Sequence, residues 1–348
     1  MPATSDLKDV IIAYKKLSFS DQAAFYAMVP NDFCLTNSGI QSFLIETRIT
    51  EGCGCIYCGS SHVVKNGKRK DGTQRFLCRD CKKSFLPNSE SVTSRTRKNL
   101  TVWTSYLNCM LDRKTLQETS RECGISMSTA FSWRHKILDA LHEMRGKVFL
   151  DGTVEADETF FDVSYKGNHK NFTLPREPHK RGHSVRTKGL SSEKVCVPCA
   201  VSEAGVSYAR PAKTGKVSSD SVKKIFDGVI APDAVLCTDN EKAYMGFARD
   251  KGIRLVQMET DSRVTKRQGR SYGIQRINAY HSRLKGFIQR FHGVSTKYLE
   301  NYLVWNDVLA NGQRNREELL ELLLSEILTA RISLRSCDIP HRPPLPVL

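Results

Sequence analysis

At 348 residues the chain exceeds one ordinary domain and can bury two or three separate cores. Lysine and arginine number 53 against 37 acidic residues, a formal net charge of +16, which favours a phosphate-bearing partner with salt-sensitive affinity. No apolar run approaches 18 residues and no secretory leader is visible, which excludes a helical membrane span and leaves a membrane partner unsupported.

Residues 1–50 open with Leu7, Val10, Ile11, Tyr14 and Leu17 at helical spacing, so residues 6–29 are expected to form one or two amphipathic helices. The composition then changes to cysteines, glycines and basic residues over 51–88. Cys55-Ile-Tyr-Cys58 and Cys78-Arg-Asp-Cys81 can each turn back to offer two thiolates, and together they complete a tetrahedral Zn2+ site. Cys53 is an alternative to Cys55 with a less favourable spacing. Paired Cys-x-x-Cys units among the 12 cysteines of a leaderless chain point to metal and a reducing cytoplasm. Lys65, Lys68, Arg69, Lys70, Arg75, Arg79, Lys82 and Lys83 surround the ligands, which suits either a DNA-docking ribbon or a metal clip for folding.

From Asn99 to Met144 the pattern is helical again. Leu116–Ile137 has the form helix, glycine turn, helix, with Gly124 suited to the left-handed conformation and Ser126 or Ser128 to an N-cap. We expect a helix-turn-helix domain over 97–146. In it Thr129, Ser132, Arg134, His135 and Lys136 would reach a major groove, while Ala130, Phe131 and Ile137 pack inward. Plain helical packing is the competing reading of this hairpin.

Beyond residue 150 strands and helices alternate. Strands are expected at 154–165, 194–202, 206–211, 234–238 and 254–259, with helices at 218–229, 241–251 and 277–291, giving an α/β catalytic domain over 150–312. If Val154–Phe161 is a regular strand, Asp157 shares a face with Glu155 and Thr159 while Glu158 points away. Cys196 and Cys199 lie inside an apolar run and read as buried structural residues. Asp239 ends an apolar strand just before a helix, a rigid place for a reactive group. The 38 residues from Ser262 to Leu299 contain no acid and carry a basic run that includes Lys266, Arg267 and Arg270 as candidate DNA contacts.

Within that run Ile277, Tyr280, Leu284, Phe287, Ile288 and Phe291 form a buried helical stripe. Asn278, His281 and Lys285 line a second face. Asp157, Asp239 and the Asn278 carbonyl oxygen make a credible oxygen donor set for Mg2+ or Mn2+, with Lys285 set to meet a phosphate. By spacing alone, turn and cap roles explain the same residues equally well. A helical region over 296–332 and a proline-rich tail complete the chain, the last segment being 313–348.

These segments resemble insertion-sequence transposases of the DDE superfamily, in the bacterial branch with a zinc ribbon and an Asp-Asp-Asn-Lys signature (the insertion-sequence 1595 type). The likeness rests on Cys55/Cys58/Cys78/Cys81, Trp133-Arg-His-Lys136, Val154-Glu-Ala-Asp-Glu-Thr159 and His179-Lys-Arg-Gly182. It continues through Thr238-Asp-Asn240, Asn278-Ala-Tyr-His-Ser-Arg-Leu-Lys285 and Gly293-Val-Ser-Thr-Lys-Tyr-Leu299. The resemblance implies an RNase H-like catalytic domain preceded by a zinc ribbon and a helix-turn-helix domain. It implies structural Zn2+, catalytic Mg2+ or Mn2+, and Asp157, Asp239, Asn278 and Lys285 as the catalytic set. The implied function is metal-dependent cleavage and transfer of DNA strands at terminal inverted repeats. Double-stranded DNA would be the partner, a homo-oligomer the working form, and the nucleoid the place. A non-catalytic DNA-binding regulator and a nuclease without joining activity are the rival readings.

Overall fold

The computed structural model describes residues 45, 48–49, 54–146, 148–167, 193–258, 264–267, 270–311, 315–332 and 335–343. The expected helices of residues 6–29 and the His179–Gly182 motif lie outside them. The chain divides into two compact units, one of 1–89 with 95–104 and one of 90–94 with 105–348. Most of the helical segment expected at 97–146 groups with the larger unit. No helix among the described residues is long and apolar enough to cross a membrane.

The first unit holds a three-stranded antiparallel sheet of β1 (Val63–Lys68), β2 (Gln74–Cys78) and β3 (Ser84–Phe85), in that order. Its core is small: Cys55, Ile56, Phe76, Cys78 and Phe85, flanked by Ile45, Ile49, Val63 and Cys81. Phe76 stacks on Phe85 at 6.1 Å. So small an apolar core offers little to offset the ordering of its residues, and a bound metal ion would add to it.

Three helices follow: α1 (Leu100–Leu111), α2 (Leu116–Glu122) and α3 (Met127–Arg145). Thr115 and Glu118 form a reciprocal capping box at the start of α2. Gly124 takes φ +58° in the turn, and Ser126 Oγ accepts the Thr129 N–H at 3.2 Å to cap α3, both as expected from sequence.

The larger unit is built on a five-stranded mixed sheet. Its strands are β4 (Thr153–Asp162), β5 (Lys194–Ser202), β6 (Ser207–Ala209), β7 (Val235–Thr238) and β8 (Arg254–Gln257), ordered β6-β5-β4-β7-β8. The first three pair antiparallel, and β7 and β8 add parallel to β4. Parallel addition needs crossovers, supplied by α4 (Ser219–Phe226) and α5 (Lys242–Lys251). Val154, Ala156 and Phe160 of β4 face these helices and meet Val222, Ile225, Phe226, Tyr244 and Phe247 in the main core. The alternate residues of β4 face α6 (Gln275–Gln289), through Glu155 and Asp157.

Residues 264–267 and 270–273, expected as loop, form a two-stranded antiparallel ribbon of β9 (Val264–Arg267) and β10 (Arg270–Gly273). Tyr272 anchors β10 against Cys237 and Val256. Two further helices, α7 (Thr296–Ala310) and α8 (Arg316–Thr329), occupy the terminal helical region. The outer edge of β6 is not open to another strand. Asn311 binds both the N–H and the C=O of Ser207, at 2.7 and 2.8 Å, while Asp307 accepts the Ala209 N–H at 3.0 Å. Asp307, 2% exposed, also accepts from Ser207 Oγ at 3.0 Å and from Tyr280 Oη at 2.6 Å, tying α7 to the sheet edge and to α6.

Replacing Asp307 by Ala removes the acceptor of the Ala209 N–H and the Tyr280 hydroxyl and one of the two open to Ser207 Oγ, and the loss should be about 3 kcal/mol of stability. Urea denaturation monitored by tryptophan fluorescence checks this; a change under about 0.5 kcal/mol would contradict it.

Candidate active site

The parallel pairing of β4 with β7 sets the geometry. Glu155 stands opposite Cys237, and two residues further along the two strands come Asp157 and Asp239. Asp157 lies mid-strand in β4 and Asp239 directly follows the last residue of β7; with neighbouring strands about 4.8 Å apart, the charge of Asp239 acts on Asp157. Asp157 Oδ1 accepts the Glu158 N–H at 2.8 Å, and Asp239 Oδ1 accepts the Glu241 N–H at 3.0 Å. Each carboxylate is thereby oriented by backbone, with its second oxygen turned elsewhere.

The face of α6 expected to be functional does lie over Asp157. His281 Nδ1 is 3.8 Å from Asp157 Oδ2. Asn278 and Lys285 sit one turn before and one turn after His281, and both are exposed. The structure thus brings together Asp157, Asp239 and His281, and puts Asn278 and Lys285 on the same helical stripe.

The electrostatics are those of a site short of positive charge. Burial pushes the Asp157 carboxyl up to about 6 against the pull of the Glu158 N–H, and the charge of Asp239 adds to the rise. Burial, then Asp157 and Asp239, push Glu158 up to about 8. Glu158 points to the opposite face from Asp157, as alternation requires, and its Oε1 is buried without a hydrogen-bond partner among the described residues. His281 brings no charge: burial and Lys285 lower it to about 4, so the imidazole is neutral near pH 7. Two half-buried carboxylates that repel each other, relieved only in part by Lys285, fit a hard divalent ion.

In the smaller unit Cys55 Sγ and Cys81 Sγ are 3.6 Å apart, as are Cys58 Sγ and Cys78 Sγ. All four sulfurs lie within 4.8 Å of one another. A tetrahedral ion with Zn–S bonds of about 2.3 Å requires S···S edges near ~3.8 Å, so this set fits zinc. The knuckles are preformed by backbone: the Cys55 N–H donates to Ser60 C=O and the Cys78 N–H to Lys83 C=O. Gly54 is needed at φ +68°, where a Cβ would stand 2.5 Å from the Ser60 oxygen.

Two expected DNA contacts are not at a surface. Arg134 is 0% exposed and His135 1%. Arg134 lies 5.0 Å from the Trp305 ring and 5.8 Å from Phe291, and donates to Lys114 C=O and Thr119 Oγ1. His135 packs against Tyr298 at 4.1 Å and Phe131 at 4.5 Å, and burial holds it neutral. The reason is α7, which covers this face of α3 with aromatic rings; a guanidinium stacks on such rings far better than most cations do. Lys136 remains half-exposed. Lys266, Arg267 and Arg270 fall on the β9–β10 ribbon, where the backbone pairs Arg267 with Arg270. Cys196 and Cys199 are buried as expected, and three residues apart on one strand they face opposite ways.

Residues 149–304 match the family model described as the ISXO2-like transposase domain. The matched segment contains Asp157, Asp239, Asn278 and Lys285, and leaves the four-cysteine cluster outside it. A curated relative, an uncharacterised protein in transposable element ISH50 of Halobacterium salinarum, is 25% identical over 167 residues, 48% of this chain. The chain spans about half of that relative's length, 54%. Among solved structures, the Mos1 mariner paired-end complex with Mn is 12% identical over 67% of this chain and 80% of that one, with a TM-score of 0.23. A pre-cleavage Mos1 transpososome is 11% identical with the same coverage and a TM-score of 0.21. Such loose superpositions transmit no geometry, and the site stands on this chain's own coordinates.

Because the raised carboxyl of Asp157 favours the protonated form, its ionisation opposes folding above pH 6, and that opposition vanishes below about pH 4. Asp157→Asn should therefore stabilise the protein at pH 8 without added divalent ions, on the order of 1–2 kcal/mol, and not at pH 4. Thermal melts of the two proteins decide it, and a destabilised variant at pH 8 would contradict the charge argument. For the cysteine cluster, elemental analysis should return one zinc per chain, lost in Cys78→Ser; protein that folds without zinc would overturn that assignment.

Proposed function

We propose that this protein is a DNA transposase, in which an RNase H-like domain cleaves and joins DNA strands at the ends of an insertion sequence. The carrying observation is that Asp157 on β4 and Asp239, just past the adjacent parallel β7, feel each other's charge beside the helix stripe of Asn278, His281 and Lys285, in a segment that matches a transposase domain. The strand order, three antiparallel strands extended by two parallel ones with helices on both faces, supports an RNase H-like domain.

Asp157, Asp239 and the Asn278 amide oxygen would hold Mg2+ or Mn2+. A bound divalent ion supplies Lewis-acid polarisation of a phosphoryl oxygen and a nucleophile at neutral pH. The chain's own groups do the rest. Asp157 and Asp239 bring the negative charge, oriented by the Glu158 and Glu241 N–H groups. Asn278 adds a neutral oxygen, so ion affinity is lower than with three carboxylates. The neutral imidazole of His281 sits beside Asp157 without competing for its charge, and the exposed Lys285 ammonium meets the phosphate. The work is positioning and electrostatic stabilisation of a pentavalent phosphorus, without a covalent bond to protein.

DNA would be held outside the catalytic sheet. All eight basic residues of the zinc ribbon, Lys65 through Lys83, are exposed, which favours docking over a purely structural clip. In the helix-turn-helix, exposed Ser128 and half-exposed Thr129, Ser132 and Lys136 take the groove role that the buried Arg134 and His135 cannot. The ribbon carrying Lys266, Arg267 and Arg270 would grip phosphates. Joining two element ends requires both in one complex, hence a homo-oligomer on double-stranded DNA, working in the cytoplasm at the nucleoid.

Asp157→Ala should abolish strand transfer, on the order of 10³-fold or more, while gel-shift binding of terminal-repeat DNA persists. Equal transfer by variant and wild type would defeat the proposal, and pre-cleaved ends that are never inserted would reduce it to a nuclease.

A further inference from the structure

The first turn of α6 has no cap of its own. Ile274 at the N-cap contributes no side-chain hydrogen bond, and the first turn contains no acid. The Asn278 N–H already reaches the Ile274 carbonyl, which leaves the N–H groups of Arg276 and Ile277 to be satisfied from outside the helix. Both are taken by Glu155, more than 120 residues away in the chain. Its Oε2 accepts from Arg276 N at 2.7 Å and Ile277 N at 3.0 Å, and its Oε1 accepts from Arg276 Nη1 at 2.8 Å.

Glu155 is 3% exposed and lies on the central strand, two residues before Asp157 and on the same face. A buried carboxylate at that place would be costly without donors, and the helix start would be costly without an acceptor. Each resolves the other, and the negative charge meets the positive end of the helix dipole. The bond joins the strand two positions from Asp157 to the helix one position from Asn278. Extended strand and helix have different rises per residue, so without such a pin the two donors share no common reference.

We infer that Glu155 is a positioning residue, whose carboxylate caps α6 and thereby fixes Asn278 relative to Asp157 for binding a divalent ion. This rests on the proposed role of Asn278. It differs from it in naming a group that touches neither ion nor DNA, and whose effect must therefore pass through the helix.

A double-mutant cycle on the full chain tests it, with Mn2+ affinity read by electron paramagnetic resonance and amide exchange read by mass spectrometry. Glu155→Ala should weaken Mn2+ binding on the order of tenfold and speed amide exchange over residues 275–278 relative to the last turn of α6. Glu155→Gln, whose amide oxygen still accepts both backbone N–H groups, should recover most of both losses and serves as the folded variant should the alanine protein not fold. In an Asn278→Ala background, Glu155→Ala should cost little further affinity. Fully additive losses, or wild-type Mn2+ affinity in Glu155→Ala and Glu155→Gln alike, would overturn the positioning role while leaving Asn278 in place. Wild-type affinity in Asn278→Ala alone would remove Asn278 from the ion site, and the inference with it.

Discussion

The parallel pairing of β4 with β7 is the constraint on which the rest is arranged. It brings the charge of Asp239 to act on Asp157, although like charges in a half-buried place repel. The Glu158 and Glu241 N–H groups and Lys285 repay part of that cost, and the apolar packing of Val154, Ala156 and Leu236 on α4 and α5 stabilises the opposite face of the same strands. A core on one side thus maintains an unfavourable charge arrangement on the other. That is the usual condition of a site awaiting a cation or a substrate.

The second consequence concerns the helices that close the active face. α6 owes its position to polar contacts with strand residues, chiefly Glu155 and, through Asp307, the edge strand β6. α7 in turn covers α3 with aromatic rings and encloses Arg134 and His135. Those helices therefore pack as part of the larger unit's scaffold, and only their outward residues, such as Ser128, Thr129 and Ser132, stay accessible to a partner.

Much of this was legible in the sequence where a pattern has a single physical meaning. The doubled Cys-x-x-Cys, the alternation along β4 and the apolar stripe of Ile277, Tyr280 and Leu284 each matched what the structure contains. The failures are equally specific. Arg134 and His135 read as polar because helical periodicity reports residue type, and nothing nearby announces a cover 160 residues later in the chain. The β9–β10 ribbon was missed because its arginines, lysine and glycine lack strand patterning; it is defined by pairing with itself and by the packing of Tyr272 on Cys237 and Val256. Glu155 was visible only as a neighbour of Asp157 on one face. Its partners are backbone N–H groups, which no sequence pattern displays.

The central claim is a shared ion held from the middle of β4, the residue that follows β7, and one helix. Crystals of the full chain grown with Mn2+ and measured at the manganese absorption edge test it directly. The account predicts an anomalous peak roughly 2.1 Å from a carboxylate oxygen of both Asp157 and Asp239, with the Asn278 amide oxygen turned toward it. A manganese peak elsewhere, with these three side chains apart and bound to protein groups alone, would contradict it.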